Sequence, residues 1–320
     1  MQSVQRLIGA ELSLFEQKFA AAVKGSNPLL DRIMRFIIRR KGKQMRPMFV
    51  FLSAKIAGGI NEPAYRAAGL IELLHTATLV HDDVVDNAAV RRNFFSINAL
   101  WKNKIAVLVG DYLLSKGLLL AVEHGDFEIL RITSRAVREM SEGELLQMEK
   151  ARRLDISEEV YFEIIRAKTA SLLSAACAAG AMAATADPAV AEQFRLFGEN
   201  VGIAFQIKDD LFDYGQDNVG KPTGIDIREK KMTLPLIYTL AHADRETKRR
   251  IIYIVKNQSE DKQKVAEVIR IVQSSGGIPY AQQKMAEYKE AALCILHQYP
   301  DTPERAAMEE LVNYAIDRKY

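Results

Sequence analysis

The sequence contains one acidic spacing twice, Asp-Asp-x-x-Asp, at positions 82–86 and 209–213. At about 100° per residue, the first and last aspartates of such a motif lie about 40° apart on an α-helix and the second lies beside them, so the three carboxylates share one face. Carboxylates that close repel each other unless a cation lies between them. Both motifs have apolar flanks, which a solvated acidic surface does not predict. The repeat therefore predicts two helical carboxylate clusters, which we expect to face each other as a cage for hard cations.

The candidate catalytic and metal-binding carboxylates are the six aspartates of these motifs: Asp82, Asp83, Asp86, Asp209, Asp210 and Asp213. Oxygen ligands with open coordination positions suit Mg²⁺, which retains several waters and takes further ligands from substrate phosphates. Zinc is not expected, because histidines and cysteines do not occur at the spacing of a zinc site. The motifs therefore predict a magnesium site that binds phosphate groups.

Hydrophobic periodicity predicts the fold class. Apolar residues recur at helical spacing nearly everywhere, and sustained period-two alternation is missing. With 320 residues, of which 48% are hydrophobic, the chain is long enough to bury a large core. No linker-like tract divides it. We therefore predict a single all-α domain over residues 1–320, with an amphipathic N-terminal helix in residues 1–25.

Charge and cysteine content limit the partners and the location. Lys and Arg number 44 against 41 Asp and Glu, a balance that does not favour nucleic acid or a membrane surface as the main partner. No stretch approaches the roughly 18 uncharged apolar residues of a membrane span. Cys177 and Cys294 both have apolar sequence neighbours, which predicts buried free thiols and a reducing, cytoplasmic location.

Basic residues accompany both acidic motifs. His75 precedes Asp82 by seven residues, which brings the two within about 20° on a helix. The segment from Asp213 to Pro235 contains three glycines and four cations, so it is either a basic loop that closes over phosphates or a solvated surface loop. The basic candidates are Lys43, Arg46, His75, Arg91, Arg92, Lys168, Lys221 and Lys231.

The residue types favour electrophilic over covalent catalysis. No Ser-His-Asp or Cys-His arrangement with a recognisable local signature is visible. Cations bound to a diphosphate would instead stabilise the charge of a departing pyrophosphate. If the carbon left behind is allylic, the resulting carbocation requires an apolar cavity that excludes water.

The order of the motifs resembles that of the trans-isoprenyl diphosphate synthases, or polyprenyl synthetases, over roughly residues 30 to 320. Besides the two acidic motifs, the resemblance rests on Gly42-Lys43-x-x-Arg46-Pro47, Arg91-Arg92, Lys168-Thr169, Phe205-Gln206, and Gly220-Lys221 through Lys231-x-Thr233-Leu234-Pro235. It implies an isoprenoid-synthase-type helical bundle with a central active-site cavity, assembled as a homodimer.

The resemblance also implies a reaction and a role for each site residue. The reaction is head-to-tail condensation of an allylic diphosphate, such as farnesyl or geranyl diphosphate, with isopentenyl diphosphate. Three Mg²⁺ ions would bind the allylic diphosphate, with Asp82, Asp86 and Asp209 as metal ligands. The cations matched to that diphosphate are Arg91, Lys168, Lys221 and Lys231, and those matched to isopentenyl diphosphate are Lys43, Arg46, His75 and Arg92. Thr169 and Gln206 match substrate-binding positions of the allylic pocket.

Product length is expected to depend on the fourth and fifth residues before the first aspartate. Short-chain members of the family carry aromatic residues there, whereas this chain has Thr78 and Ala77, which predicts a long-chain product. Three alternatives stay open. A class I terpene cyclase normally has a different second metal motif, a silent regulatory subunit typically loses one acidic motif, and a metal phosphohydrolase built on His81-Asp82 would need further histidines nearby.

Overall fold

The computed structural model describes residues 1–25, 27–39, 42–91, 94–151, 154, 156–215 and 223–317. Two predicted phosphate-binding residues, Arg92 and Lys221, lie outside these ranges. The described chain is almost entirely helical, so the predicted all-α class is confirmed. Within these ranges the β structure is one short antiparallel hairpin.

The elements follow one another along the chain with short connections. In order, they are α1 (Gln2–Ala22), α2 (Pro28–Arg39), α3 (Met45–Ala57), α4 (Glu62–Val85), β1 (Val90–Arg91), β2 (Phe94–Phe95), α5 (Ile97–Glu123), α6 (Phe127–Ala151), α7 (Glu158–Ile165), a π-helical turn (Arg166–Ala170), α8 (Ser171–Thr185), α9 (Pro188–Phe212), α10 (Ile225–Arg228), α11 (Leu234–His242), α12 (Arg245–Asn257), α13 (Lys262–Ser274), α14 (Gly277–Leu296) and α15 (Pro303–Ile316). Helix α1 lies inside the segment predicted to form an N-terminal helix.

The chain forms two compact units, each assembled from three separate stretches. The first unit comprises Met1–Val137, Ala175–Arg195 and Tyr299–Met308, and the second comprises Arg138–Ser174, Leu196–Gln298 and Glu309–Tyr320. The first acidic motif therefore belongs to the first unit and the second motif to the second unit. The single domain over residues 1–320 stays a prediction.

Helices α4 and α5 pack against each other in the first unit. The Asn61 side chain caps α4 by accepting a hydrogen bond from the Ala64 backbone N–H at 3.0 Å. Two glycines of α5 permit the close approach of α4. A Cβ added at Gly117 would lie 2.8 Å from Cδ1 of Leu70, and one added at Gly110 would overlap the imidazole ring of His81 near the end of α4.

The core of the second unit surrounds the π-helical turn. Apolar side chains of α7, α9 and α11–α14 bury one another there. A Cβ added at Gly143 would lie 2.7 Å from Cβ of Ala167, and one added at Gly202 would lie 2.6 Å from Cα of Ala170. Helices α6 and α9 can therefore approach the turn because both present a glycine to it.

Two helical stretches of the described chain, Ile97–Glu123 and Glu158–Thr185, are long and apolar enough to cross a membrane by length and composition. The first includes the charged residues Asp111 and Lys116. The second is mostly buried, as is usual for a core helix of a globular protein. Core helices satisfy the same criterion, so this finding does not place the chain in a membrane.

The two cysteines differ in environment. Cys177 is fully buried, and burial raises the pKa of its thiol to about 12. The prediction that Cys294 is buried is wrong, because its side chain is exposed. Each step along a helix turns the side chain by about 100°, so the buried neighbours Ala292 and Leu293 lie on a different face of α14.

Candidate active site

The first acidic motif lies at the C-terminal end of α4, and its three carboxylates differ in exposure. The Asp83 side chain is only 4% exposed, whereas that of Asp82 is half-buried and that of Asp86 is exposed. Helix α4 ends at Val85, and Asp86 is its C-terminal capping residue. The sequence predicted three carboxylates on one face, but Asp83 is turned into the protein.

Backbone contacts fasten the end of this motif to the start of α5. The Asp86 N–H donates to the Asp82 carbonyl at 2.8 Å, which completes the last turn. The Asp83 carbonyl accepts from the Ala88 N–H at 2.9 Å and from Nδ2 of Asn98 at 3.0 Å. The chain then enters β1, which contains the predicted phosphate-binding residue Arg91.

His81, which immediately precedes the motif, fills a gap between α4 and α5. Its Nε2 lies 3.3 Å from the Val107 carbonyl oxygen and 3.5 Å from Oδ1 of Asp111. A Cβ added at Gly110 would come within 2.1 Å of Nε2 and 2.5 Å of Cδ2 of this ring. His81 therefore fixes the last turn of α4, and with it Asp82, against α5.

The other predicted residues of the first unit lie on α3 and α4 or just before α3. Lys43 is exposed, Arg46 is half-buried in the first turn of α3, and His75 is half-buried on α4. Ala77 is completely buried among apolar side chains of α2, α4 and α5. Thr78 keeps exposed surface, and its Oγ1 donates to the His75 carbonyl at 3.0 Å.

Hydrogen bonds join three predicted residues of the second unit. Gln206 accepts through Oε1 from Oγ1 of Thr169 at 2.8 Å and donates through Nε2 to Oδ1 of Asp210 at 2.9 Å. The hydroxyl of Tyr161, which the sequence analysis missed, donates to Oδ2 of Asp210 at 2.7 Å. Asp210 is 5% exposed, so both of its oxygens are held by buried or half-buried donors.

Asp213 follows the end of α9 and contacts the short helix α10. Its Oδ1 accepts a hydrogen bond from the Ile225 backbone N–H at 2.8 Å, at the N-terminus of that helix. Its Oδ2 is buried and has no hydrogen-bond partner among the residues that the structure describes. One oxygen of Asp213 therefore positions α10, and the other has no protein partner within that part of the chain.

A fourth carboxylate, Asp226 of α10, completes what we call the second acidic cluster: Asp209, Asp210, Asp213 and Asp226. Burial, followed by repulsion from Asp213, raises the pKa of Asp226 to about 6, although the Lys231 ammonium 3.9 Å away opposes this shift. Burial, followed by repulsion from Asp226, raises the pKa of Asp210 to about 7. Burial also raises the pKa of Asp213. These carboxylates are therefore desolvated and repel one another.

The second acidic cluster fits a hard divalent cation by its donor chemistry. It offers carboxylate oxygens, one of them the unpartnered Oδ2 of Asp213, and a cation would relieve the mutual repulsion. Within the described part of the chain, no group of three or more His, Cys, Asp or Glu side chains is arranged to hold a metal ion by itself. Mg²⁺ commonly uses one or two carboxylates and completes its shell with water and phosphate oxygens, and this donor set fits that use.

Lys168 lies in the π-helical turn, a rare element that is frequent at functional sites. Its Nζ lies 2.5 Å from Oε2 of Glu144 and donates to Oε1 of Gln147 at 3.2 Å. Neither partner was predicted from the sequence. Their i,i+3 spacing on α6 was the available signal, because residues three apart share a helix face.

Lys231 follows α10 in the chain and pairs with acidic residues of that segment. Its Nζ lies 2.5 Å from Oε2 of Glu229 and 3.9 Å from Oδ1 of Asp226. The predicted basic segment therefore contains a short helix and carboxylates as well as cations. That the two acidic motifs face each other stays a prediction.

The sequence model of the polyprenyl synthetase family matches residues 27–272. The all-trans-nonaprenyl-diphosphate synthase (geranyl-diphosphate specific) of Rhodobacter capsulatus is 34% identical over 99% of this chain and 98% of its own length. The geranylgeranyl pyrophosphate synthase from Bacteroides thetaiotaomicron is 37% identical, with a TM-score of 0.84 over 99% of this chain and 100% of that chain.

A polyprenyl synthase from Caulobacter crescentus CB15, crystallised with calcium and isoprenyl diphosphate, is 33% identical. It superposes with a TM-score of 0.91 over 100% of this chain and 98% of that chain, which confirms the isoprenoid-synthase-type fold. Because the family model and the full-length relatives agree, the chain belongs to the polyprenyl synthetase family of prenyltransferases.

Proposed function

We propose that the chain is a magnesium-dependent trans-polyprenyl diphosphate synthase. It condenses an allylic diphosphate head-to-tail with isopentenyl diphosphate and releases pyrophosphate. The observation that carries the proposal is the second acidic cluster, whose buried carboxylates include an unpartnered oxygen and are linked through Gln206 to Thr169, beside Lys168. Carboxylates for metal and cations for phosphate are the groups that ionisation of an allylic diphosphate requires.

Each residue has a defined task in this proposal. Asp82, Asp86 and Asp209 would hold Mg²⁺, and the unpartnered oxygen of Asp213 can add a further ligand. When bound, Mg²⁺ supplies the positive charge that stabilises the departing pyrophosphate. Lys168 donates charge-assisted hydrogen bonds to the diphosphate oxygens. No side-chain base is assigned, because the released pyrophosphate can accept the proton.

Several further side chains orient or complete this set. Tyr161 and Gln206 hold Asp210 in one orientation. The remaining cations assigned to diphosphate groups by family resemblance are Lys43, Arg46, His75, Arg91, Arg92, Lys221 and Lys231. The number of Mg²⁺ ions, three by the same resemblance, belongs to the proposal.

The purified chain should convert farnesyl diphosphate and labelled isopentenyl diphosphate to polyprenyl diphosphate when it is assayed alone. EDTA should stop the reaction, and Mg²⁺ should restore it better than Zn²⁺, because the donors are oxygens. Mass spectrometry and radio-chromatography measure the product. Hydrocarbon release without isopentenyl diphosphate would instead indicate a terpene cyclase, and no turnover by the chain alone would indicate a silent subunit.

The prediction of product length depends on this chain's own residues, because similar relatives are named for products of different length. We propose a long-chain product, since the residues beneath the first motif are small. Ala77 is completely enclosed, so a larger residue there would have to displace packed neighbours. Thr78 keeps exposed surface and lies about 40° from Asp82 on α4, so it is the better position for a test.

Thr78→Phe should shorten the product, because an aromatic ring there would block elongation beneath the first motif. Thr76→Phe is the matched control. Thr76 is also half-buried on α4, but it lies about 200° round the helix from Thr78. The measurement is the mass distribution of products from labelled isopentenyl diphosphate. An unchanged distribution for Thr78→Phe, or equal shortening by both variants, contradicts this role.

The proposal includes a homodimer formed through α5. After a kink at Lys102, this helix exposes five large apolar side chains on a face about 120° wide: Val107, Leu108, Leu118, Leu119 and Val122. A second copy of the chain would cover that face. Sedimentation equilibrium tests this, because a wild-type mass of one chain contradicts it.

We also propose a cytoplasmic location, since Cys177 and Cys294 are free thiols.

A further inference from the structure

The ammonium group of Lys168 has an anionic partner on α6. Glu144 lies 2.5 Å from Nζ, and Gln147 accepts a second hydrogen bond from the same atom. A diphosphate that binds Lys168 must therefore replace or share the Glu144 carboxylate. The pair is 35% exposed on the lysine side and 28% exposed on the glutamate side, so a phosphate oxygen can reach it from solvent.

The backbone around this pair holds the two side chains close together. Gly143, the residue before Glu144, lets α6 approach the π-helical turn, since a Cβ there would lie 3.0 Å from the Lys168 backbone nitrogen. Gly202 brings α9 equally close to Ala170 at the end of the turn. The close packing of α6 on the turn at Gly143 therefore places Glu144 beside Lys168.

We propose that Glu144 sets the affinity of Lys168 for diphosphate groups. Its carboxylate competes with the phosphate oxygens for the ammonium, which weakens the binding of diphosphate and promotes the departure of pyrophosphate after each condensation. This inference rests on the proposed function, in which Lys168 binds the allylic diphosphate. In this role Glu144 weakens the binding of diphosphate instead of supporting it.

Glu144→Gln should tighten pyrophosphate binding. The amide keeps the size of the side chain and a hydrogen bond to Lys168 but removes the competing charge. Partly exposed ion pairs of this kind contribute roughly 0.2–1 kcal/mol, so the inhibition constant of pyrophosphate with Mg²⁺ should fall about 1.4- to five-fold. Inhibition is measured against the allylic diphosphate, and circular dichroism verifies folding.

Glu142→Gln is the matched control, because Glu142 lies on the same helix and is 66% exposed, 3.8 Å from Arg138. It removes an equal charge two residues away and should leave the inhibition constant unchanged. Equal tightening by both variants would overturn the inference, because it would reflect net charge alone. Unchanged or weaker pyrophosphate binding by Glu144→Gln would overturn it as well.

A double-mutant cycle with Lys168→Met separates this inference from the proposed function. If Lys168→Met leaves pyrophosphate binding unchanged, the assigned role of Lys168 fails and the inference fails with it. If Lys168→Met weakens binding, Glu144→Gln should tighten binding in the wild type but have no effect in the Lys168→Met background. The same tightening in both backgrounds would overturn the role of Glu144 and leave that of Lys168 intact.

Discussion

Replacing Asp82 with asparagine should lower kcat/KM about 10²- to 10³-fold, the loss typical when one preorganised electrostatic group is removed from an active site. The carboxylate is half-buried at the end of α4 and is assigned to Mg²⁺. Asparagine has the same shape but no charge, so it is a poorer ligand for a hard cation. Steady-state kinetics at several Mg²⁺ concentrations measure the loss, and far-UV circular dichroism should show unchanged helicity.

The fold should survive this substitution because asparagine keeps the shape of the side chain and the backbone hydrogen bond of Asp82 is retained. Its carbonyl oxygen accepts from the Asp86 N–H, and that bond does not depend on the carboxylate. Asp301→Asn is a suitable control, since Asp301 belongs to the same unit and its side chain is 85% exposed. The control should retain wild-type activity. Full activity of Asp82→Asn would contradict the metal-binding role of the first motif.

Periodicity predicted the helical class, and motif spacing predicted that both acidic motifs begin on helices. Both acidic motifs lie at the ends of long helices, because the apolar residues before them repeat with helical spacing. Thr169 and Gln206 were predicted separately, and the structure joins them by a hydrogen bond. Local pattern was sufficient here because each helix buries a face that its own sequence defines.

Contacts between residues distant in the chain could not be predicted in this way. Tyr161 and Asp210 are joined by a hydrogen bond although they lie 49 residues apart in the chain, and no local pattern encodes that pairing. Asp226 was not predicted, because only the glycines and cations of its segment entered the prediction. Asp226 lies next to Asp213 because the Asp213 carboxylate accepts a hydrogen bond at the N-terminus of α10, the helix that contains Asp226.

Burial within a helix was predicted less well than helix formation. Cys294 has apolar sequence neighbours and is exposed, and Asp83 belongs to an acidic motif and is buried. In both cases the neighbouring residues lie about 100° away on the helix. Composition of a short segment therefore does not determine which face a side chain occupies, whereas the packing partner of the helix does.

Gly110→Ala should lower kcat/KM by up to about 10²-fold, the size of loss that an ~1 Å misplacement of reacting groups can cause. The added methyl group would occupy the place of the His81 ring, so the ring must move and lose the contacts with α5 that hold the last turn of α4 in place. Overpacking of this kind also costs about 1–3 kcal/mol of unfolding free energy. Chemical denaturation and steady-state kinetics measure the two effects.

Gly117→Ala is the matched control on the same helix. Its methyl group would contact Cδ1 of Leu70, the flexible end of a side chain that can rotate away. Alanine also stabilises a helix interior by about 1 kcal/mol relative to glycine, which offsets this adjustment. We therefore expect near-normal stability and activity for Gly117→Ala. If Gly110→Ala behaves like Gly117→Ala, then His81 does not position the first acidic motif.

The His81→Ala background gives the sharpest form of this test. Without the ring, the methyl group of Gly110→Ala has space, so only its helix-stabilising effect of about 1 kcal/mol should remain. The effect of Gly110→Ala on stability should therefore change sign, from destabilising in the wild type to stabilising in His81→Ala. Such strong coupling is expected only between residues in direct contact. Additive effects would show that the clash with His81 is not what makes glycine necessary at position 110.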